Sequence, residues 1–251
     1  TALYLPVAIM LAGLILRGVA FDFRVKAEAA HRPLWDLAFH GGSLIATFAQ
    51  GVMLALYIVG FRYGVLDLAF ALFVGLSLIA GYALLGAGWL IMKSEGELQR
   101  RAVAWARGSL VFTAAGIGAV SAITPMVSAR IFAKWFELPN LLWLAPIPLT
   151  TLALFVVVHR ALLRLPDDTA KVWVPFAGAG GIFALSFAGL AYSLFPYIVI
   201  DRLNVWEAAS APQSLAVLMV GVGITLPVII GYTVFMYRVF WGKAGALSYG
   251  P

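Results

Sequence analysis

The chain opens with TALYLPVAIMLAGLIL (Thr1–Leu16), which is followed directly by RGVAFDFR (Arg17–Arg24). The first sixteen residues carry no charge, whereas the next eight contain two arginines and an aspartate. Charge at the point where a membrane helix reaches water is costly unless it is paired. The stretch therefore predicts a membrane helix with a charged end, which fixes the helix end, handles protons, or does both.

Six further uncharged runs of 21 to 30 residues follow this segment. Because about 20 apolar residues cross a bilayer, each run is long enough for a transmembrane helix. The sequence therefore predicts an all-α, polytopic transmembrane helix bundle that forms a single membrane domain, 1–251. We expect the first span to be N-terminally incomplete, since only sixteen residues precede Arg17. The predicted spans cover residues 1–16, 37–61, 68–92, 108–129, 138–158, 172–200 and 208–237.

The composition supports a membrane protein and excludes several other classes. Hydrophobic residues make up 63% of the chain and charged residues 11%, whereas soluble domains contain roughly 45–50% and about 25%. The net charge of +6 is spread over connections that are too short to form the basic face required for nucleic-acid binding. The absence of cysteine excludes disulfides, thiolate metal sites and thiol nucleophiles.

The connections between the predicted spans alternate in charge. One set contains thirteen lysines and arginines, and the other contains four, namely Arg62, Arg130, Lys134 and Arg202. Since cytoplasmic connections of membrane proteins are enriched in Lys and Arg, this split predicts a cytoplasmic C-terminus. Tryptophans near the span ends, Trp35 among them, predict anchoring at the membrane surface.

Polar side chains form a stripe along the second predicted span. Five residues, spaced by four, three, four and three positions, share one helix face: Asp36, His40, Ser43, Thr47 and Gln50. This polar stripe extends roughly 21 Å from the cytoplasmic end, past the bilayer midplane. Its carboxylate, imidazole, hydroxyl and amide groups can each hold water or relay a proton. Two interpretations stay open: a proton route, or hydrogen bonds that join neighbouring helices.

The charged segment that precedes the polar stripe also has two interpretations. Asp22 and Lys26 are four residues apart and would share a helix face if the first helix continues past the membrane. They form either an ion pair at the helix end or a group that collects protons at the cytoplasmic surface. Arg17 and Arg24 are interpreted as anchors, and Arg17 could also neutralise a carboxylate, a partner subunit or a lipid phosphate.

The sequence shows no metal site and no catalytic triad. Three histidines occur in the chain: His31, His40 and His159. None of them is spaced from another as a metal ligand would be, so we expect no haem or metal to be bound by this chain alone. Asp167-Asp168 lies in a basic connection and is expected to be solvated. Glycine-rich patches at 178–181 and 221–223 predict close approach of helices.

Three separated segments resemble one known family. They are LILRGVAFDFRVKAEAAHRPLWDLAFHGGSLIATFAQG (Leu14–Gly51), GYALLGAGWLIMKSEGELQRRA (Gly81–Ala102) and FPYIVIDRLNVWEAASAPQSLAVLMVGVGITLPVIIGYTVFMYRVFWGK (Phe195–Lys243). Together they closely resemble subunit II of the cytochrome bd-type quinol oxidases, on the side of the cyanide-insensitive branch. The likeness is colinear through nearly the whole chain, which makes it more specific than any short motif.

The resemblance implies an enzyme of the bacterial cytoplasmic membrane that oxidises quinol and reduces oxygen to water with cytoplasmic protons. The partner it implies is a haem-bearing subunit I that holds two b haems, one d haem and the quinol site. Asp22, Lys26 and the polar stripe would then belong to a proton-uptake region at the subunit interface. The family has about nine helices, so two N-terminal helices and the start of a third are expected to be missing here.

The same resemblance is compatible with a structural quinone or bound membrane lipids in this chain, and with a small accessory subunit. Two other classes of membrane protein remain open alternatives. In a secondary transporter the polar stripe would line a substrate path, although no internal repeat is visible. In a purely structural scaffold the chain would only stabilise a cofactor-bearing partner.

Overall fold

The computed structural model describes residues 3–165, 169–240 and 242–243, so the predicted solvated pair Asp167-Asp168 lies outside it. Within these ranges seven helical segments are long and apolar enough to cross a membrane, which confirms the all-α polytopic fold. In chain order the helices are α1 (Tyr4–Lys26), α2 (Arg32–Ile58), α3 (Val65–Lys93), α4 (Gly96–Val127), α5 (Ala129–Phe136), α6 (Asn140–Leu144), α7 (Pro146–Arg164), α8 (Val174–Leu194), α9 (Val205–Ala208) and α10 (Pro212–Val239).

The first helix continues past its predicted membrane span. It continues to Lys26, ten residues beyond the predicted end of its span at Leu16. The helix can continue because long cationic side chains reach water while their backbone stays helical. Arg24 and Lys26 lie in the last turn, where cations interact favourably with the free carbonyls of the helix.

The predicted span 172–200 also differs from the structure, because α8 ends at Leu194. Pro196 has no backbone N–H and disfavours helical geometry in the residue before it. The next residues form an antiparallel hairpin of β1 (Tyr197–Val199) and β2 (Leu203–Asn204). Uncharged sequence therefore continues past the helix into an extended segment.

The largest apolar core lies among α3, α4, α7 and α8. Leu84, Leu162 and Ile182 are completely buried within it. Close approach of α7 and α8 depends on glycine, since a Cβ at Gly178 would lie 2.3 Å from Val158 Cγ2. The predicted role of the 178–181 patch is thus confirmed.

The last helix, α10, lies at the edge of the described fold, and none of its most apolar stretch is buried. Contacts are found near its C-terminal end, where the rings of Trp89 and Tyr237 lie 5.5 Å apart. Lys93 Nζ also donates a hydrogen bond of 2.7 Å to the Phe240 carbonyl. A Cβ at Gly221 or Gly223 would meet nothing within 4 Å among the described residues, so the close approach predicted at 221–223 is not made within this chain and stays a prediction.

Candidate functional site

Glycines bring α1 and α2 into direct backbone contact. A Cβ at Gly13 would lie 2.8 Å from the Gly42 carbonyl oxygen, and a Cβ at Gly42 would lie 2.6 Å from the Gly13 carbonyl oxygen. Both distances are shorter than a carbon and an oxygen tolerate, so only glycine fits at either position. This contact holds the charged end of α1 against the first turns of α2.

Arg24 of α1 and Asp36 of α2 form an ion pair at this end. Arg24 Nε donates to Asp36 Oδ1, and Arg24 Nη2 donates to Asp36 Oδ2 at 3.4 Å. A guanidinium that meets both carboxylate oxygens fixes the orientation of the acid. The two side chains are 50% and 43% exposed, so water screens much of their attraction. Arg24, which the sequence suggested as an anchor, connects α1 to α2.

Two contacts of aromatic rings also join α1 to α2. Phe23 and Trp35 stack with their ring centroids 5.1 Å apart. The guanidinium carbon of Arg17 lies 5.4 Å from the centre of the Phe39 ring, which is within cation–π range. Arg17 and Trp35, both predicted as anchors, therefore each contact the neighbouring helix of this hairpin.

His40 lies one turn beyond Asp36 and is exposed. Its Nδ1 lies within hydrogen-bond distance of the Asp36 carbonyl oxygen. Because a carbonyl oxygen only accepts, Nδ1 must carry the proton of the neutral ring, and Nε2 is left as the basic nitrogen. One turn further on, the Ser43 hydroxyl donates to the Phe39 carbonyl at 2.8 Å and keeps its lone pairs available.

The inner end of the polar stripe contacts α3. Gln50 Oε1 accepts a hydrogen bond of 3.1 Å from the Tyr82 hydroxyl. Tyr82 in turn stacks on Phe183 of α8, with ring centroids 6.0 Å apart. Thr47 lies between Ser43 and Gln50 and is half-buried. The sequence did not point to Tyr82, because a tyrosine within an apolar helix gives no sign of which neighbour its hydroxyl will contact.

The structure places all five residues of the polar stripe on one side of α2, as their spacing predicts, since all lie in one unbroken helix. The stripe begins beside α1, at Asp36, and ends beside α3, at Gln50. Within the described residues no hydrogen bond joins two side chains of the stripe directly. Successive members are one turn apart, about 5–6 Å between Cβ atoms, so water is needed to connect them.

Asp22 and Lys26 form no ion pair or hydrogen bond with the polar stripe among the described residues, so their part in proton uptake stays a prediction. Asp22 is two residues from Arg24, which places it about 200° around α1 and away from α2. Both Asp22 and Lys26 are exposed, and the ion pairs found among the described residues do not include one between them. Lys26 instead borders an open depression of ≈ 340 Å³, together with Glu28, His31 and other residues of the α1–α2 connection.

The histidines do not converge on a common point. Within the part of the chain that the structure describes, no group of three or more His, Asp or Glu side chains is placed to hold a metal ion.

Comparison with known proteins identifies the chain. The family model described as cytochrome bd terminal oxidase subunit II matches residues 1–240. The chain belongs to this family. As a subunit II, it is part of a terminal oxidase complex with a subunit I, and its seven apolar helices make it an integral membrane protein.

Individual relatives of this subunit II agree with the family match. The chain is 28% identical to cytochrome bd ubiquinol oxidase subunit 2 of Bacillus subtilis (strain 168), covering 94% of this chain and 72% of that protein. It is 26% identical to the probable cytochrome oxidase subunit 2 of Haemophilus influenzae, covering 97% and 74%. It is 25% identical to cytochrome bd-I ubiquinol oxidase subunit 2 of Escherichia coli (strain K12), covering 96% and 74%.

This subunit II has a second polar cluster, at the opposite end of its membrane helices from Asp36. Asp201, in the β1–β2 turn, accepts hydrogen bonds from Ser128 Oγ at 2.6 Å and from Arg130 Nε at 3.0 Å. Lys134 of α5 donates to the carbonyls of Tyr192 and Phe195, both at 2.8 Å, and so caps the C-terminal end of α8. The cluster locks α5 and the hairpin onto the end of α8.

Charged groups in this second cluster shift the pKa values of their neighbours. The hydrogen bond from Ser128 and the neighbouring Arg130 hold the pKa of Asp201 below its usual range, against the opposing effect of burial. Burial lowers the pKa of Lys134, and the nearby Arg130 lowers it further. The sequence did not reveal this cluster as a unit. Its signal was that Arg130 and Lys134, two of the four cations in the less basic set of connections, lie within five residues.

Proposed function

We propose that this chain supports a haem-bearing subunit I and supplies it with protons taken up from the cytoplasm. The complex couples oxidation of a membrane quinol to reduction of oxygen to water. Two b haems and one d haem, held by subunit I, provide the redox chemistry. The names of the relatives, which include two ubiquinol oxidase subunits, support quinol as the electron donor.

The observation that carries proton uptake is the position of the polar stripe. It starts at half-buried Asp36 and exposed His40 and continues through half-buried Ser43, Thr47 and Gln50. The distance covered is roughly 21 Å along the helix. Polar groups that extend this far into a membrane are expensive, and they commonly mark proton routes.

Each part of the stripe has a role in this proposal. Arg24 holds the Asp36 carboxylate in place at the outer end, where it exchanges protons with water. His40 binds a proton at Nε2, since Nδ1–H is already donated to a carbonyl. The hydroxyls of Ser43 and Thr47 then orient the waters that connect His40 to Gln50.

A purely structural role is the second candidate, and specific contacts favour it. His40 and Ser43 bond to carbonyls of their own helix, and Gln50 joins α2 to α3 through Tyr82. These bonds would stabilise the bundle without moving protons. Membership of the subunit II family favours both candidates over a secondary transporter.

Substitution of Thr47 tests the proposal, because its hydroxyl has no hydrogen bond among the described residues that the change would break. The Thr47→Val complex is expected to assemble with full haem content but to consume oxygen more slowly with quinol. In D2O it should show a larger solvent isotope effect than the wild type. Thr225→Val on α10, where the hydroxyl bonds only to the Gly221 carbonyl of its own helix, is the matched control.

Unchanged oxygen consumption and isotope effect in a haem-loaded Thr47→Val complex would refute proton transfer along the stripe. Loss of haem in that variant, with Thr225→Val intact, would support the structural role instead. The two candidates are thereby separated in one set of preparations.

A further inference from the structure

We propose that this subunit carries a binding site for an anionic phospholipid on its surface between α4 and α7. The site is an open groove of ≈ 330 Å³. Its apolar walls include Val111 and Ala114 of α4 and Phe155 and Val156 of α7. A volume of about 300–1,000 Å³ is usual for pockets that hold small molecules. The groove is thus large enough to retain part of a lipid acyl chain.

Basic side chains lie at one end of the groove. His159 and Arg160 border it directly, at the C-terminal end of its α7 wall. Arg107 is four residues before Val111 and seven before Ala114, so it shares their face of α4 one turn further out. Arg107 is tied to the same end of α7, because its Nε and Nη2 donate to the Leu162 carbonyl at 3.2 and 2.6 Å.

These cations remain available to a ligand. Arg107 has five N–H donors, and its contact with Leu162 uses one on Nε and one on Nη2. Arg160 is exposed, and within the described residues it forms no ion pair. By contrast, Arg101 on another face of α4 is paired with Glu97 at 3.0 Å. Among the described residues, two arginines without an ion pair, Arg107 of α4 and Arg160 of α7, therefore lie at the same end of the apolar groove.

This combination fits an anionic phospholipid better than other membrane molecules. The apolar groove accepts an acyl chain, and Arg107, His159 and Arg160 meet the phosphate and its headgroup. A zwitterionic phospholipid gains less from these cations because its headgroup carries its own positive charge. A quinone has no anionic group at all. Lys and Arg side chains at a membrane surface attract anionic lipids by about 1 kcal/mol each, which corresponds to roughly a fivefold preference.

Photo-crosslinking in the assembled complex tests this site. The probe is phosphatidylglycerol with a diazirine on one acyl chain, added to the purified complex in detergent. Labelled peptides are expected to map to 110–114 and 155–159, and unlabelled phosphatidylglycerol should compete about fivefold better than phosphatidylcholine. Arg160→Gln is expected to lower labelling about fivefold, whereas the equal charge change Arg101→Gln should leave it unchanged.

A second variant keeps the test independent of charge. Val156→Trp fills the groove and should reduce labelling by lipids with either headgroup. Labelling elsewhere on the complex, equal competition by the two lipids, or an equal response to Arg160→Gln and Arg101→Gln would overturn the proposal. Because the readout is bound lipid, the result does not depend on whether the polar stripe carries protons.

Discussion

Arg24 and Asp36, twelve residues apart, join the end of α1 to the beginning of α2 through both oxygens of the carboxylate. Through this contact a residue of the neighbouring helix fixes the orientation of Asp36, the outermost acid of the polar stripe. The contact also separates Asp36 from Asp22, which lies on the far side of α1. The two acids that the sequence grouped together therefore occupy different environments.

Replacement of Asp36 by asparagine should slow turnover while the complex still assembles. The amide keeps the size of the side chain but cannot exchange a proton at neutral pH. A positioned proton-transfer group commonly contributes 10²-fold or more, and bypass through water limits the loss here to about 10²-fold. Quinol-driven oxygen consumption in proteoliposomes measures the effect, with Asp22→Asn as the comparison. If Asp22→Asn is as slow as Asp36→Asn, the distinction drawn between the two acids fails.

The Gln50–Tyr82 hydrogen bond should couple α2 to α3. In a double-mutant cycle of Gln50→Leu and Tyr82→Phe, we expect a coupling energy of about 0.6 kcal/mol, the average for such bonds in membrane proteins. The free energy of unfolding in mixed detergent provides the measurement. A coupling energy of zero would mean that the two side chains act independently.

Two adjacent glycines should respond in opposite ways to alanine. Gly42→Ala pushes a Cβ to 2.6 Å from the Gly13 carbonyl oxygen and is expected to destabilise the α1–α2 contact by about 1–3 kcal/mol. Gly41→Ala meets nothing within 4 Å and should stabilise α2 by roughly 0.5–1 kcal/mol. Thermal unfolding measures the change in stability of each variant relative to the wild type. Equal effects would show that backbone contact does not govern this helix pair.

Asp201 should make stability depend on pH in the acid range. Because its pKa is lower in the folded state, its contribution is fully present above its usual pKa of about 3.9. The contribution is lost as the pH falls through the lower folded pKa. Asp201→Asn should therefore lower the unfolding temperature at neutral pH, and the difference from wild type should shrink below about pH 4. A difference that is constant with pH would contradict this assignment.

The sequence by itself determined the membrane class, the seven spans and the periodicity of the polar stripe. Uncharged runs longer than about 20 residues have few alternatives to transmembrane helices, and a four-three spacing fixes one helix face wherever the helix lies. These are local properties of the chain. The predicted helices therefore form although some of their bounds differ, since α1 continues beyond Leu16 and α8 ends before Pro196.

Only the tertiary structure decided which groups meet. The pairing of Arg24 with Asp36, the reach of Tyr82 to Gln50 and the joining of Asp201 to Arg130 across 71 residues all depend on how helices rotate and approach. Those rotations are set by side-chain and glycine contacts between elements far apart in sequence, such as Gly13 with Gly42. The spacing of residues along one helix does not reveal how that helix is rotated against its neighbours. The sequence could therefore place Asp22 and Asp36 near the same membrane surface, but it could not show that they lie on opposite sides of α1.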